Sequence, residues 1–151
     1  MWIGGVRVVI LDEEKKILML KQYHEEKDIW MVPGGAIEEN ENAEMAAIRE
    51  VKEETGLEIE LLKLIWHVEE VSEKRGQRFV NFFLARIVGG SLYLGIDPER
   101  EADKQVMREV KFMSQMELKN LEVLYPEYLK DELWIFLQQD TDDYNAFKIR
   151  R

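Results

Sequence analysis

The chain has 151 residues, of which 46% are hydrophobic and 34% charged, with a formal net charge of −10 and no cysteine. That length fits one domain spanning 1–151, large enough to bury roughly 68 to 70% of its unfolded surface without a staple. The lack of cysteine excludes disulfides, thiolate metal sites and cysteine nucleophiles. The acidity argues against a long nucleic acid as partner, because phosphate contacts dominate that affinity and no basic stripe studded with aromatics supplies them.

The opening MWIGGVRVVILDEEKK has an apolar stretch that meets charge at Asp12, with no basic leader and no small-residue cleavage site. No run approaches the ~20 apolar residues of a membrane span, so the cytoplasm is the expected location. Val6 to Leu11 is a β-branched run, Asp12 to Lys15 a polar turn and Ile17 to Leu20 a return strand, which together predict a hairpin. Pro33, Gly34 and Gly35 make a tight loop, the glycines allowing a backbone approach that a Cβ would block. A helix is predicted over 42–55, with Asn40 or Asn42 as N-cap and Gly56 as a left-handed C-cap. Glu58 to Val71 and Arg78 to Val88 read as a long hairpin across the turn SEKRGQ. Gly89-Gly90 and Gly95 to Glu99 mark loops and Val106 to Met113 a further strand. Pro126 to Gln139 reads as an amphipathic helix with Leu129, Leu133, Phe136 and Leu137 inward. Helices 42–55 and 126–139 would flank a mixed sheet.

The chemistry concentrates in the first helix. At about 100° per residue, Glu50 and Glu54 continue the sector opened by Ala43, Ala46 and Ala47, and Glu53 falls on the same side. Like charges three or four residues apart repel by a few tenths of a kcal/mol per pair on an exposed helix, and by more when desolvated. A divalent cation would relieve that repulsion. Oxygen donors without histidine or cysteine favour Mg²⁺ or Mn²⁺ over Zn²⁺. Magnesium held by a few carboxylates leaves positions for water and substrate phosphates, which points to hydrolysis of a P–O–P bond. A Glu-rich helix on its own is more often a plain solvated face; here flanking glycines and fixed offsets tell against that reading.

Gly35, Glu41, Arg49, Glu50, Val51, Glu53, Glu54, Gly56 and Leu57 fill the pattern G-x5-E-x7-R-E-U-x-E-E-x-G-U, with U aliphatic. This segment, with the WMVPGG before it, resembles the Nudix box of hydrolases that cleave nucleoside diphosphates linked to another group. The resemblance is residue-specific from about Trp30 to Leu57. It implies an α/β chain of the α+β, mixed-sheet kind, folded as a single-domain α/β/α sandwich. It also implies that the carbonyl of Gly34 can add a metal ligand, that Glu50, Glu53 and Glu54 bind metal or activate water, and that Arg49 orients an acid. Glu50 or Glu53 is the favoured general base. Of the acids Glu99, Glu101 and Asp103 before the Val106 strand, Glu101 is the expected further metal ligand. The missing cysteine argues against isopentenyl-diphosphate isomerases, which share the fold.

Outside this segment the signal is thin. Arg7 and Lys21 could hold phosphate but read as inert strand charges. Trp66, Phe82, Phe83 and Tyr93 could stack on a base but read as core. His24 and His67 have no motif around them, and Trp134 reads as packing. Positions 58–92 contain neither proline nor tyrosine, so the marks of ADP-ribose, dinucleoside polyphosphate and NADH pyrophosphatases are missing, and the stretch before the box does not resemble the coenzyme A subclass. The substrate expected is a small phosphorylated nucleotide, either a nucleoside triphosphate or another nucleoside diphosphate derivative. Many similar proteins are homodimers. The competing reading is a nucleotide-sensing module that binds without turnover.

Overall fold

The computed structural model describes residues 3–24, 26–74, 76–95, 107–138 and 147–150. In chain order the elements are β1 Ile3–Ile10, β2 Ile17–His24, β3 Lys27–Met31, β4 Gly34–Ala36, α1 Ala43–Thr55, β5 Leu57–Ser72, β6 Gly76–Gly90, β7 Met107–Met113, α2 Gln115–Lys119, β8 Leu124–Tyr125, α3 Glu132–Gln138 and β9 Phe147–Arg150, with a 3₁₀ turn over Glu127–Leu129. Two mixed sheets form, one in the order β4-β1-β6-β5-β9 and the other β7-β2-β3-β8. Among the described residues no helix is long and apolar enough to cross a membrane.

Both sheets contribute to two apolar clusters. On one side Val6, Val8 and Ile10 of β1 meet Ala46, Ala47 and Val51 of α1, together with Leu18 of β2. On the other, Val9 joins Trp66, Phe82, Ile17 and Met19, and Leu118, Leu129, Leu133 and Phe136 cover them. The sheets therefore lie between α1 and the C-terminal helical segments, which is the α/β/α layering expected of mixed strands.

The opening hairpin does not form as a ladder. β1 pairs in parallel with β6 and antiparallel with β4, and only an isolated bridge, Leu11 to Ile17, links it to β2. Val8, Val9 and Ile10 are all fully buried, so β1 has apolar neighbours on both faces and takes a central place, as such unbroken runs do. The long hairpin does form, with β5 and β6 antiparallel and bulged at three places. The helix expected over 126–139 is divided into the 3₁₀ turn and α3, while Gln139 lies outside the described residues. A continuous helix would give the Leu129 carbonyl to the Leu133 N–H; instead it accepts from the Trp134 indole Nε1 at 2.7 Å, and the Lys130 carbonyl accepts from Gln115.

Candidate active site

Local sequence sets the position of α1. The Asn42 side chain accepts from the Met45 N–H, and Gly56 at φ 76° closes the other end, its N–H bonded to the Lys52 carbonyl. Asn42 is thus the cap of the two candidates, and Asn40 sits at φ 67° in the preceding turn. With Ala46, Ala47, Val51 and Thr55 buried, the helix presents Glu50 and Glu54 along the edge of its packed face and leaves Glu53 59% exposed.

The glycine segment is a short strand rather than a bare loop, since Gly34 and Gly35 pair with Arg7 and Val6. Close approach explains both glycines. A Cβ on Gly34 would strike the Val6 carbonyl and the Arg7 chain, and one on Gly35 would lie 2.5 Å from the Glu50 carboxylate. The Gly34 N–H donates to Glu54 Oε1 at 2.8 Å, which joins the start of the segment to the end of the helix.

Arg49 organises the remaining acids. Its Nε and Nη2 donate to the two oxygens of Glu41 at 3.0 and 2.6 Å, and its Nη1 donates to Glu50 at 2.9 Å and Glu53 at 3.2 Å. A further bond runs to the Ala36 carbonyl. These bonds, Glu41 foremost, hold Arg49 firmly charged, and the same pairing lowers the Glu41 carboxyl below its usual value. Glu50 moves the other way, because burial outweighs the arginine beside it. Glu54 is pushed up to about 8 by burial, with the nearby Arg7 charge opposing the rise. Two carboxylates on one helix are thus poorly solvated, which is how a site for a charged ligand is built.

Among the described residues no three acidic, histidine or cysteine side chains converge as a metal cluster. The acids are tied to Arg49 and to the Gly34 N–H instead. The donor chemistry nevertheless fits a hard cation, since every available donor is oxygen and two of the carboxylates are desolvated. Glu99, Glu101 and Asp103 lie outside the described residues.

The aromatic candidates divide as their strand positions suggest: Trp66, Phe82 and Phe83 are core, while Tyr93 is 53% exposed. Lys21 is a surface charge near Asp28 and Glu109, His67 bonds to Asn81 and Trp134 packs against the core. Arg7 is not inert. Its Nη1 donates to the Val32 carbonyl at 2.8 Å, and its chain lies against Gly34. A charge inside the run VRVVIL was the available signal. Glu41, Arg78 and Tyr125 also frame this region without having drawn a role from sequence.

The NUDIX domain profile matches residues 1–132. The chain belongs to the NUDIX domain family. An RNA pyrophosphohydrolase of Pelagibacter ubique is 27% identical over 146 residues, spanning 97% of this chain and 84% of that protein. An ADP-ribose pyrophosphatase of Methanocaldococcus jannaschii is 35% identical over 97 residues, 62% of this chain and 56% of that one. The crystal structure of a MutT protein from Methanosarcina mazei superposes with a TM-score of 0.70 at 21% identity, covering 92% of this chain and 96% of its own. The chain is accordingly a Nudix hydrolase, and its layered mixed sheets are the Nudix fold.

Proposed function

We propose that this Nudix hydrolase cleaves the pyrophosphate linkage of a small nucleotide derivative with the help of Mg²⁺ or Mn²⁺. The observation that carries the reading is the pair Glu50 and Glu54, desolvated on α1 and facing Gly35 and Gly34. Glu50, Glu53, Glu54, the Gly34 carbonyl and Glu101 would hold the ion. When bound, such an ion polarises a phosphoryl oxygen and lowers the pKa of water. Arg49 positions Glu50 and Glu53 through its Nη1, and a bound cation would share their negative charge with it. Glu50 or Glu53 accepts the proton of the attacking water; burial raises Glu50 above the usual carboxylate value, which makes it a stronger base than an ordinary carboxylate. Arg7, beside Gly34, offers a cation to the phosphate chain.

The charge of −10 favours a small cytoplasmic substrate over the body of a nucleic acid. The name of the Pelagibacter relative makes an RNA 5′ end the arm to compare. The test is a panel of nucleoside triphosphates, nucleotide sugars, ADP-ribose, dinucleoside polyphosphates and a 5′-triphosphorylated RNA with Mg²⁺, following phosphate or pyrophosphate release. Turnover of a small member is expected. Binding without turnover of any member would replace the enzyme with a sensing module.

A further inference from the structure

A cleft of about 190 Å³ opens beside the box, lined by Gly4, Gly5, Arg7, Gly35, Arg78 and Tyr125 among others. Pockets that enclose a drug-sized ligand run to roughly 300–1,000 Å³, so this cleft takes one moiety of a nucleotide and leaves the rest outside. In the parallel register Ile3 stands beside Arg78 and Arg7 beside Phe82. Side chains alternate along a strand, so Arg7 and Arg78 project from the same face, their rows about 13 Å apart along the strands.

Each guanidinium is tethered at one nitrogen. Arg78 Nε donates to Glu70 Oε2 at 2.6 Å, while the Tyr125 hydroxyl donates to the other oxygen of Glu70 at 3.0 Å. Arg7 uses Nη1 on the Val32 carbonyl and the Met31 sulfur, with its Cζ 5.8 Å from the Tyr125 ring centroid. An arginine carries five N–H donors. Among the described residues, Nη1 and Nη2 of Arg78 and Nε and Nη2 of Arg7 donate to no protein atom. Two preset forks in one small cleft, with the Tyr125 hydroxyl committed to Glu70, suit an anion with several acceptor oxygens.

We propose that Arg7 and Arg78 form an anion subsite that receives a phosphate beyond the linkage being cleaved, which makes Arg78 a specificity-determining residue for substrates with at least three phosphates. Arg7 adjoins Gly34 and reaches the phosphate nearer the box; Arg78, held by Glu70, reaches the outer one. The assignment of the inner linkage rests on the function proposed above.

Isothermal titration with inorganic tripolyphosphate and with pyrophosphate, each with Mg²⁺, tests this on the intact wild-type chain, Arg78→Gln and Arg78→Lys. Arg78→Gln is expected to weaken tripolyphosphate about tenfold and pyrophosphate less than about twofold, and Arg78→Lys, which keeps charge but loses the planar fork, to fall between. Equal weakening of both ligands, or of neither, overturns the proposal. If Arg78→Gln does not fold, an unchanged tripolyphosphate-to-pyrophosphate ratio in Arg78→Lys overturns it. In turnover, Arg78→Gln should raise KM for a nucleoside triphosphate with kcat retained and leave a nucleotide sugar unaffected. A wild type without turnover whose ligand selectivity still follows Arg78 would defeat the proposed function alone. An active wild type whose selectivity the variants do not alter would defeat this subsite alone.

Discussion

Replacing Glu54 by glutamine tests the central electrostatic argument. Burial raises this carboxyl from 4.5 to about 8, so over that interval the folded chain keeps a proton that the unfolded chain gives up. Stability then falls as pH rises through the window and levels off above it. Each pH unit is worth about 1.4 kcal/mol, so by pH 7 the penalty is about 3 kcal/mol, against under about 1 kcal/mol at pH 5. Glutamine has the same shape, keeps an oxygen for the Gly34 N–H and does not ionise. Denaturant unfolding of both proteins in EDTA at pH 5 and pH 7 should show Glu54→Gln more stable at pH 7 and nearly equal at pH 5, while kcat in Mg²⁺ drops by orders of magnitude. A difference independent of pH, or a variant less stable at pH 7, would refute the claim that Glu54 is a desolvated acid.

Gly35→Ala should fold and lose most of its kcat, because the new methyl meets only the movable end of Glu50; Gly34→Ala meets the backbone of Val6 and Arg7 and should lower the melting temperature as well, which circular dichroism reads directly. Arg49→Ala should cost about 1–3 kcal/mol in unfolding free energy by stranding Glu50 without its donor, and Arg49→Lys should recover only part of kcat because one ammonium cannot serve both Glu41 and Glu50. Exhaustive EDTA treatment should abolish turnover, with recovery on adding Mg²⁺ or Mn²⁺ but not on adding Ca²⁺ at equal concentration, measured by phosphate release.

Legibility in the sequence followed locality. The box helix declared itself through Asn42, Gly56 and the fixed offsets of its acids, and the long hairpin through the polar turn between two alternating runs. The division of β1 and β2 between sheets was illegible because Val8 to Ile10 and Ile17 to Leu20 are buried on both faces, and alternation, the signal that orients a strand, vanishes there. α2 is too short for periodicity, although its Ser114 and Glu117 capping box was present to be read. The break before α3 came from Trp134 and Gln115 taking carbonyls, which no spacing encodes. Within the site, Glu50, Glu53 and Glu54 could be named from their offsets. Arg7 was visible as a possible phosphate holder but read as inert, and Glu70, Arg78 and Tyr125 could not be named, since only pairing between distant strands brings them together.

The partners that Arg49 and Gly34 supply to the acids have a consequence for how the enzyme is made. Small zinc domains stay unfolded until their ion arrives; here an internal guanidinium already pairs with Glu41 and Glu50, and burial leaves Glu54 holding its proton with the Gly34 N–H bonded to it. If the chain works with the divalent ion proposed above, it would fold before that ion binds, so removing the ion should stop turnover without unfolding the protein.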